Sequence, residues 1–295
     1  METLVSTQWL ADALGSDDLT VLDASYHLPG AERDARAEFA EAHIPGARFL
    51  DLAALTNPHS EVPSALPTKV QFENHLAALG VPLDERIVLY DNSALRSSAR
   101  AWFMFHMFGV PNAALLDGGL PKWLAEKRPA ESGSADGEPE YSDAIAVIPS
   151  GMVLSEQDGL VRCKADMLAN IDTGAEQVVD ARDAARFRGE TPDIRSGVAS
   201  GHIPGSCNLP FSNVLNADGT FKPADGIRAA FAEAGVDLDQ PIVTSCGSGI
   251  TASVLLFALH LIGRQGALYD GSWSEWGADP TLPVGTGPVA TGEPQ

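Results

Sequence analysis

Cys246 opens the run Cys246-Gly247-Ser248-Gly249-Ile250-Thr251-Ala252, the stretch of this chain best suited to covalent chemistry. A β-branched run, Ile242-Val243-Thr244-Ser245, precedes it and reads as the end of a buried strand. The apolar segment from Ala252 to Ile262 reads as a helix closed by Gly263. The thiol is therefore expected in a tight strand-to-helix loop, at the carboxyl end of a strand, where open α/β sheets hold their ligands. Gly247, Ser248 and Gly249 let the backbone curl so that several N–H groups face one sulfur atom. Those dipoles and the start of a helix stabilise negative charge on sulfur, and thiolate is the nucleophile. The competing reading of any lone cysteine is a buried structural thiol. The flanking glycines, the serine and the helix start favour the nucleophile for Cys246, whereas Cys163 and Cys207 lack that setting and take the structural reading.

The elements around this loop occur twice. Val21-Leu22-Asp23-Ala24 recurs as Val178-Val179-Asp180-Ala181, and Ala42-His43-Ile44-Pro45-Gly46-Ala47 recurs as Gly201-His202-Ile203-Pro204-Gly205-Ser206. Ile87-Val88-Leu89-Tyr90-Asp91 matches Ile242-Val243-Thr244-Ser245-Cys246, and Leu116-Asp117-Gly118-Gly119 with Trp123 matches Tyr269-Asp270-Gly271-Ser272 with Trp276. The order is kept and the offsets differ by only a few residues, which marks an internal duplication. Each half alternates short β-branched strands with apolar helices, so the expected fold is α/β: two tandem domains, each a mostly parallel sheet with helices on both faces. We expect an N-terminal domain over residues 1–128, a Pro/Gly/Ser-rich linker over 129–152, a C-terminal catalytic domain over 153–282 and a tail over 283–295. The repeated His43 and His202, each before a Pro-Gly turn, are expected to fix backbone rather than to catalyse, because only one half carries the cysteine.

Composition narrows the function. The 295 residues, 44% hydrophobic and 20% charged, are those of a globular protein with ample core. Three cysteines in so long a chain suit a reducing, cytoplasmic setting rather than a disulfide framework. No signal peptide and no membrane span are expected. A net charge of −21 argues against nucleic acid or an anionic membrane as partner. The same charge means that an anionic substrate needs arginines near the pocket. Metal-ligand spacing and Gly-rich phosphate loops are lacking, so neither metal nor cofactor is expected.

These residues resemble the tandem-domain rhodanese-like sulfurtransferases. The resemblance covers nearly the whole chain and rests on the paired His-Ile-Pro-Gly turns, the cysteine loop and the segment Tyr269-Asp270-Gly271-Ser272-Trp273-Ser274-Glu275-Trp276. It implies an inactive first domain, where Asp91 stands in the nucleophile's place and cannot carry a persulfide. It also implies an active second domain built on Cys246, with Gly247, Ser248, Gly249, Ile250 and Thr251 as the loop. Thiosulfate-using members resemble Cys-Arg-Lys-Gly-Val-Thr, whereas 3-mercaptopyruvate-using members resemble Cys-Gly-Ser-Gly-Val-Thr. This chain has the second form, with Ile250 for valine. A neutral loop suits a donor whose single carboxylate is held away from the sulfur; cationic loop side chains suit the thiosulfate dianion.

Ala185-Arg186-Phe187-Arg188-Gly189-Glu190-Thr191-Pro192-Asp193-Ile194-Arg195 is similar to the mercaptopyruvate group's Arg-Phe-x-Gly…Pro-x-Pro-Arg segment. The resemblance implies that Arg186 and Arg195 clamp the donor's carboxylate and ketone, as guanidinium forks suit. On their own, arginines among Asp183, Glu190 and Asp193 read as surface ion pairs. Three positions depart from the family. Ile194 replaces a proline, Ser64 replaces a histidine that reaches toward the loop serine, and Ala53 replaces the aspartate behind it, so a Ser-His-Asp relay is not intact. His59 is close to Ser64 in sequence and reads as a solvated loop residue.

The expected reaction is sulfur transfer from 3-mercaptopyruvate through a Cys246 persulfide, releasing pyruvate, to a thiol, a thioredoxin-like dithiol or cyanide. Thiosulfate as donor is the alternative. A Cys-x5-Arg phosphatase is excluded because Ala252 stands where its arginine belongs. A non-catalytic binding module leaves the retained Cys246 unexplained.

Overall fold

The computed structural model describes residues 1–133 and 154–287. Most of the expected linker 129–152 and the last residues of the tail lie outside them. The chain divides into two compact units. The first is Met1–Pro58, Leu66–Gln157 and Ala217–Phe221; the second is His59–Ala65, Asp158–Asn216 and Lys222–Gln295. No helix among the described residues is long and apolar enough to cross a membrane.

The first unit carries strands β1 (Leu4–Val5), β2 (Leu19–Asp23), β3 (Arg48–Phe49), β4 (Arg86–Tyr90) and β5 (Ala113–Leu116) in the order β1-β5-β4-β2-β3. The second carries β6 (Val161–Arg162), β7 (Gln177–Asp180), β8 (Cys207–Asn208), β9 (Ile242–Ser245) and β10 (Ala267–Tyr269) in the order β6-β10-β9-β7-β8. All pairings are parallel. The repeat seen in the sequence is thus a repeat of topology. Consecutive residues of β9 are buried, as a strand covered on both faces requires. Val178, Val243 and Ala267 pack with Met167, Trp273 and Trp276 on one face. Helix Ala252–Leu261 lies against β9 and β10.

In each sheet the middle strand is the switch point. After β9 the chain turns from the β7–β8 side to the β10–β6 side, which leaves the loop after β9 open to a ligand. The strand and helix bounds agree with the sequence expectation: β9 is Ile242–Ser245, and the helix ends at Leu261 with Gly263 at φ +72°.

Both histidines of the duplicated turn are buried structural residues. Nδ1 of His43 donates to the Phe39 carbonyl at 2.7 Å, and Nδ1 of His202 donates to the Phe187 carbonyl at 2.8 Å. Each imidazole stacks on the same phenylalanine, with centroids 4.0 Å and 3.8 Å apart. Each repeat is then closed by the chain that follows it. Trp123 Nε1 donates to Pro129 O at 2.7 Å while His43 pairs with Glu131; Trp276 Nε1 donates to Pro283 O at 2.9 Å while His202 pairs with Gly285. The first residues of the expected linker and tail are therefore bound into the domains.

Candidate active site

Cys246 follows β9 directly and is 2% exposed. Its N–H donates to Ser272 Oγ at 3.2 Å, and its carbonyl accepts from the Trp273 N–H at 2.9 Å. Ser272 Oγ donates in turn to the Tyr269 carbonyl at 2.8 Å. The Gly247 carbonyl accepts from the Ser274 N–H at 2.9 Å. The first residues of the loop are thus pinned from outside, by helix Ser272–Trp276. At its far end, Ser253 Oγ donates to the Gly249 carbonyl at 2.9 Å. Gly249 has φ +79°, a conformation that L side chains avoid. Among the described residues, no acceptor takes the N–H groups of Gly247, Ser248, Gly249, Ile250 or Thr251. Ser248 is buried beside them. A loop whose donors are not spent on protein carbonyls is a preformed anion cradle.

A buried ion pair supports this arrangement. Arg182 Nη2 lies 2.6 Å from Asp180 Oδ2 and donates to the Gly201 carbonyl at 2.8 Å, while its guanidinium covers the Trp273 ring at 4.7 Å. Ser272, Trp273 and Arg182 were not singled out for these roles by the sequence. Only the duplicated Asp-Gly-Ser segment hinted at the first, since their contacts join residues far apart in the chain.

Arg186 lies on the short helix Ala184–Arg188, whose start is capped by Asp183 accepting the Arg186 N–H at 3.0 Å. Phe187, buried against His202, fixes the helix to the core. Arg195 follows a turn in which Asp193 Oδ1 accepts the Arg195 N–H at 3.0 Å. That turn places Arg195 without the proline found in the family, and Ile194 itself is 60% exposed. Both guanidinium groups stand over the cysteine loop. A methyl group placed on Gly247 would lie 3.4 Å from Arg195 Nη1 and 3.5 Å from Arg186 Nη2.

The ion-pair reading of these arginines holds for part of the segment. Arg188 and Glu190 pair at the surface, at 2.7 Å. Asp193, by contrast, is a buried carboxylate that receives both Arg186 Nη2, at 2.8 Å, and Arg195 Nη1, at 3.3 Å. Burial works against its ionisation, yet the hydrogen bonds from Arg186 and the Arg195 N–H and the charges of both arginines outweigh it. The carboxyl group is held below its ordinary pKa.

Two expectations are corrected. Cys163 is exposed and Cys207 half-buried, so neither is the buried thiol that the structural reading implied. Cys163 instead begins helix Lys164–Thr173, its N–H bonded to Asp166 at 2.8 Å, and partial burial raises the Cys207 pKa, which disfavours thiolate there. Ser64 is half-buried, and Ala53 and His59 are exposed. Among the described residues, no three His, Cys, Asp or Glu side chains gather as metal ligands.

The model of the rhodanese-like domain matches residues 6–126 and again 164–279. The chain is a tandem member of the rhodanese family. It is 41% identical to the 3-mercaptopyruvate sulfurtransferase of Mus musculus, over 92% of this chain and 91% of that protein. The thiosulfate/3-mercaptopyruvate sulfurtransferase 1 of Arabidopsis thaliana is 38% identical over 96% of this chain and 78% of its own length. The crystal structure of SseA from Escherichia coli, a 3-mercaptopyruvate sulfotransferase, superposes with a TM-score of 0.79 at 35% identity, covering 93% of this chain and all of SseA.

Proposed function

We propose that this chain is a sulfurtransferase whose donor is 3-mercaptopyruvate. The observation that carries the reading is the pair of guanidinium groups at Gly247, one residue from the only cysteine set in an anion cradle. The relatives named for the same reaction support it. The donor carboxylate binds Arg186 and Arg195, which brings its sulfur to Cys246. The Cys246 thiolate attacks that sulfur, the carbon–sulfur bond breaks, and the electron pair leaves on carbon as the enolate of pyruvate, which takes up a proton. Cys246 is left as a persulfide, its charge held by the loop N–H groups. An acceptor thiolate then attacks the outer sulfur, forms its own persulfide and returns Cys246 as thiolate. A small thiol, a thioredoxin-like protein or cyanide serves as acceptor. The free cysteines suit a reducing compartment such as the cytoplasm.

Thiosulfate is the second reading, favoured by Ser64 and Ala53 standing in place of the relay residues and by the double name of the plant relative. The loop touches the reacting sulfur, and its neutral side chains offer a dianion no counter-charge, so mercaptopyruvate is preferred. Comparing kcat/KM for the two donors with cyanide as acceptor tests this. We expect a preference for mercaptopyruvate of at least about tenfold; equal or reversed values refute it. Mass spectrometry after donor treatment should find one added sulfur on the peptide containing Cys246, and Cys246→Ser should abolish turnover. A label on Cys163 or Cys207 with Cys246 unmodified would sink the mechanism.

A further inference from the structure

Asp193 lies behind the two arginines. Its carboxylate is 1% exposed, against 20% for Arg186 and 25% for Arg195. It therefore meets the guanidinium groups from the protein side and leaves their other edges for the loop and a ligand. The pairing does not exhaust their donors: Arg186 Nε is buried and has no hydrogen-bond partner. Two guanidiniums and one carboxylate sum to a single positive charge. The loop residues Gly247, Ser248, Gly249, Ile250 and Thr251 add none, and the neighbouring Arg188–Glu190 pair cancels itself. With the attacking Cys246 thiolate the clamp and nucleophile together are neutral, so a monoanion adds one uncompensated negative charge and a dianion adds two, in a site already inside a strongly acidic protein.

We propose that Asp193 is a positioning and specificity-determining residue: by pairing with both arginines it leaves the clamp one net positive charge and so selects a monoanionic sulfur donor over a dianionic one. This rests on Arg186 and Arg195 binding the donor. Asp193 does two things at once. It fixes the separation of the guanidinium groups, and it subtracts the charge that would otherwise favour thiosulfate. Selection against the wrong donor thus comes from its second uncompensated charge, a repulsive device rather than an added contact.

The test is the ratio of kcat/KM for thiosulfate to that for mercaptopyruvate, near pH 7 with cyanide as acceptor. Asp193→Asn retains an oxygen acceptor and removes the charge, and should raise the ratio by about fivefold or more, chiefly through a lower KM for thiosulfate. Asp193→Glu keeps the charge and should keep the ratio. A purely structural role would lower turnover with both donors together and leave the ratio unmoved. Should Asp193→Asn fail to fold, Ile194→Lys adds a positive charge at an exposed neighbour without touching the pair, and should raise the ratio about twofold. An unchanged ratio in Asp193→Asn, or in Ile194→Lys where Asp193→Asn does not fold, overturns the proposal. If Arg186→Ala and Arg195→Ala raise KM while the ratio ignores Asp193→Asn, only the role of Asp193 falls; if the arginine variants also behave as wild type, the clamp itself is wrong.

Discussion

Asp91 and Cys246 occupy the same place in their two repeats. The carbonyl of Asp91 accepts the Leu120 N–H at 2.9 Å, as that of Cys246 accepts the Trp273 N–H at 2.9 Å. The side chains differ in what they do with the loop that follows. Asp91 turns its carboxylate onto its own loop, taking the Ser93 N–H at 3.0 Å, the Ser98 N–H at 2.9 Å and the Ser98 hydroxyl. The cradle that stays open around Cys246 is thus filled from within in the first repeat, by an anion the chain itself supplies.

Asp91→Ala should therefore destabilise the protein without touching the transfer chemistry. It strands the Ser93 and Ser98 donors in a buried loop, at a cost of about 2–4 kcal/mol. Urea denaturation should show the loss, while kcat/KM per folded enzyme stays at the wild-type value. A stable Asp91→Ala protein would mean that water replaces the carboxylate at little cost.

Asp23, at the end of β2, makes stability depend on pH. Burial, opposed by hydrogen bonds from Ser25 and Tyr90, pushes its carboxyl pKa up to about 6. The fold thus prefers the protonated acid. That contribution is full below the unfolded value of about 4 and is lost as pH rises through about 6, so ionised Asp23 is a burden at neutral pH. Asp23→Asn keeps an oxygen for the Ser25 N–H and should add about 1–2 kcal/mol at pH 7 but almost nothing near pH 4. Denaturation curves at the two pH values decide it; an equal gain at both would trace the effect to packing.

Much of the site was legible in the sequence because it is local. The bounds of β9 follow from a buried β-branched run, the helix after it ends where Gly263 punctuates it, and Cys246, the proposed nucleophile, lies between them. The turn histidines were readable because they repeat while the cysteine does not. What sequence left out depends on tertiary contacts. Ser272 looks like any serine in an Asp-Gly-Ser turn until its hydroxyl is found under the Cys246 N–H. Asp193 looked like a surface partner, since nothing local reveals that its carboxylate is buried and shared. Cys163 looked internal, and only the fold exposes it.

Arg186→Ala should raise KM for mercaptopyruvate by about tenfold or more, the loss of one charge-assisted contact of about 1.5–3 kcal/mol. Arg195→Ala should act in the same direction. Lysine at either position should restore only part of the loss, because a point charge does not reproduce the guanidinium fork. Steady-state kinetics of the four variants check this. Wild-type KM in both alanine variants would move the carboxylate to another site.

Ser272 offers a way to disturb the cradle without touching the reacting atoms. Its backbone sits at φ +49°, which is costly for an L residue, and its hydroxyl joins the Cys246 N–H to the Tyr269 carbonyl. Ser272→Ala keeps the strain and loses both hydrogen bonds, whereas Ser272→Gly loses the same bonds and relieves the strain. The glycine variant should therefore be the more stable of the two, by up to about 1 kcal/mol. Their turnover should fall alike, about fivefold or more in kcat, with KM for mercaptopyruvate little changed because the arginines are elsewhere. Thermal unfolding and steady-state kinetics on the pair separate the contributions. If kcat follows stability, recovering in the glycine variant, then the hydroxyl serves only the fold. If kcat stays low in both, the hydroxyl orients the loop that presents the sulfur.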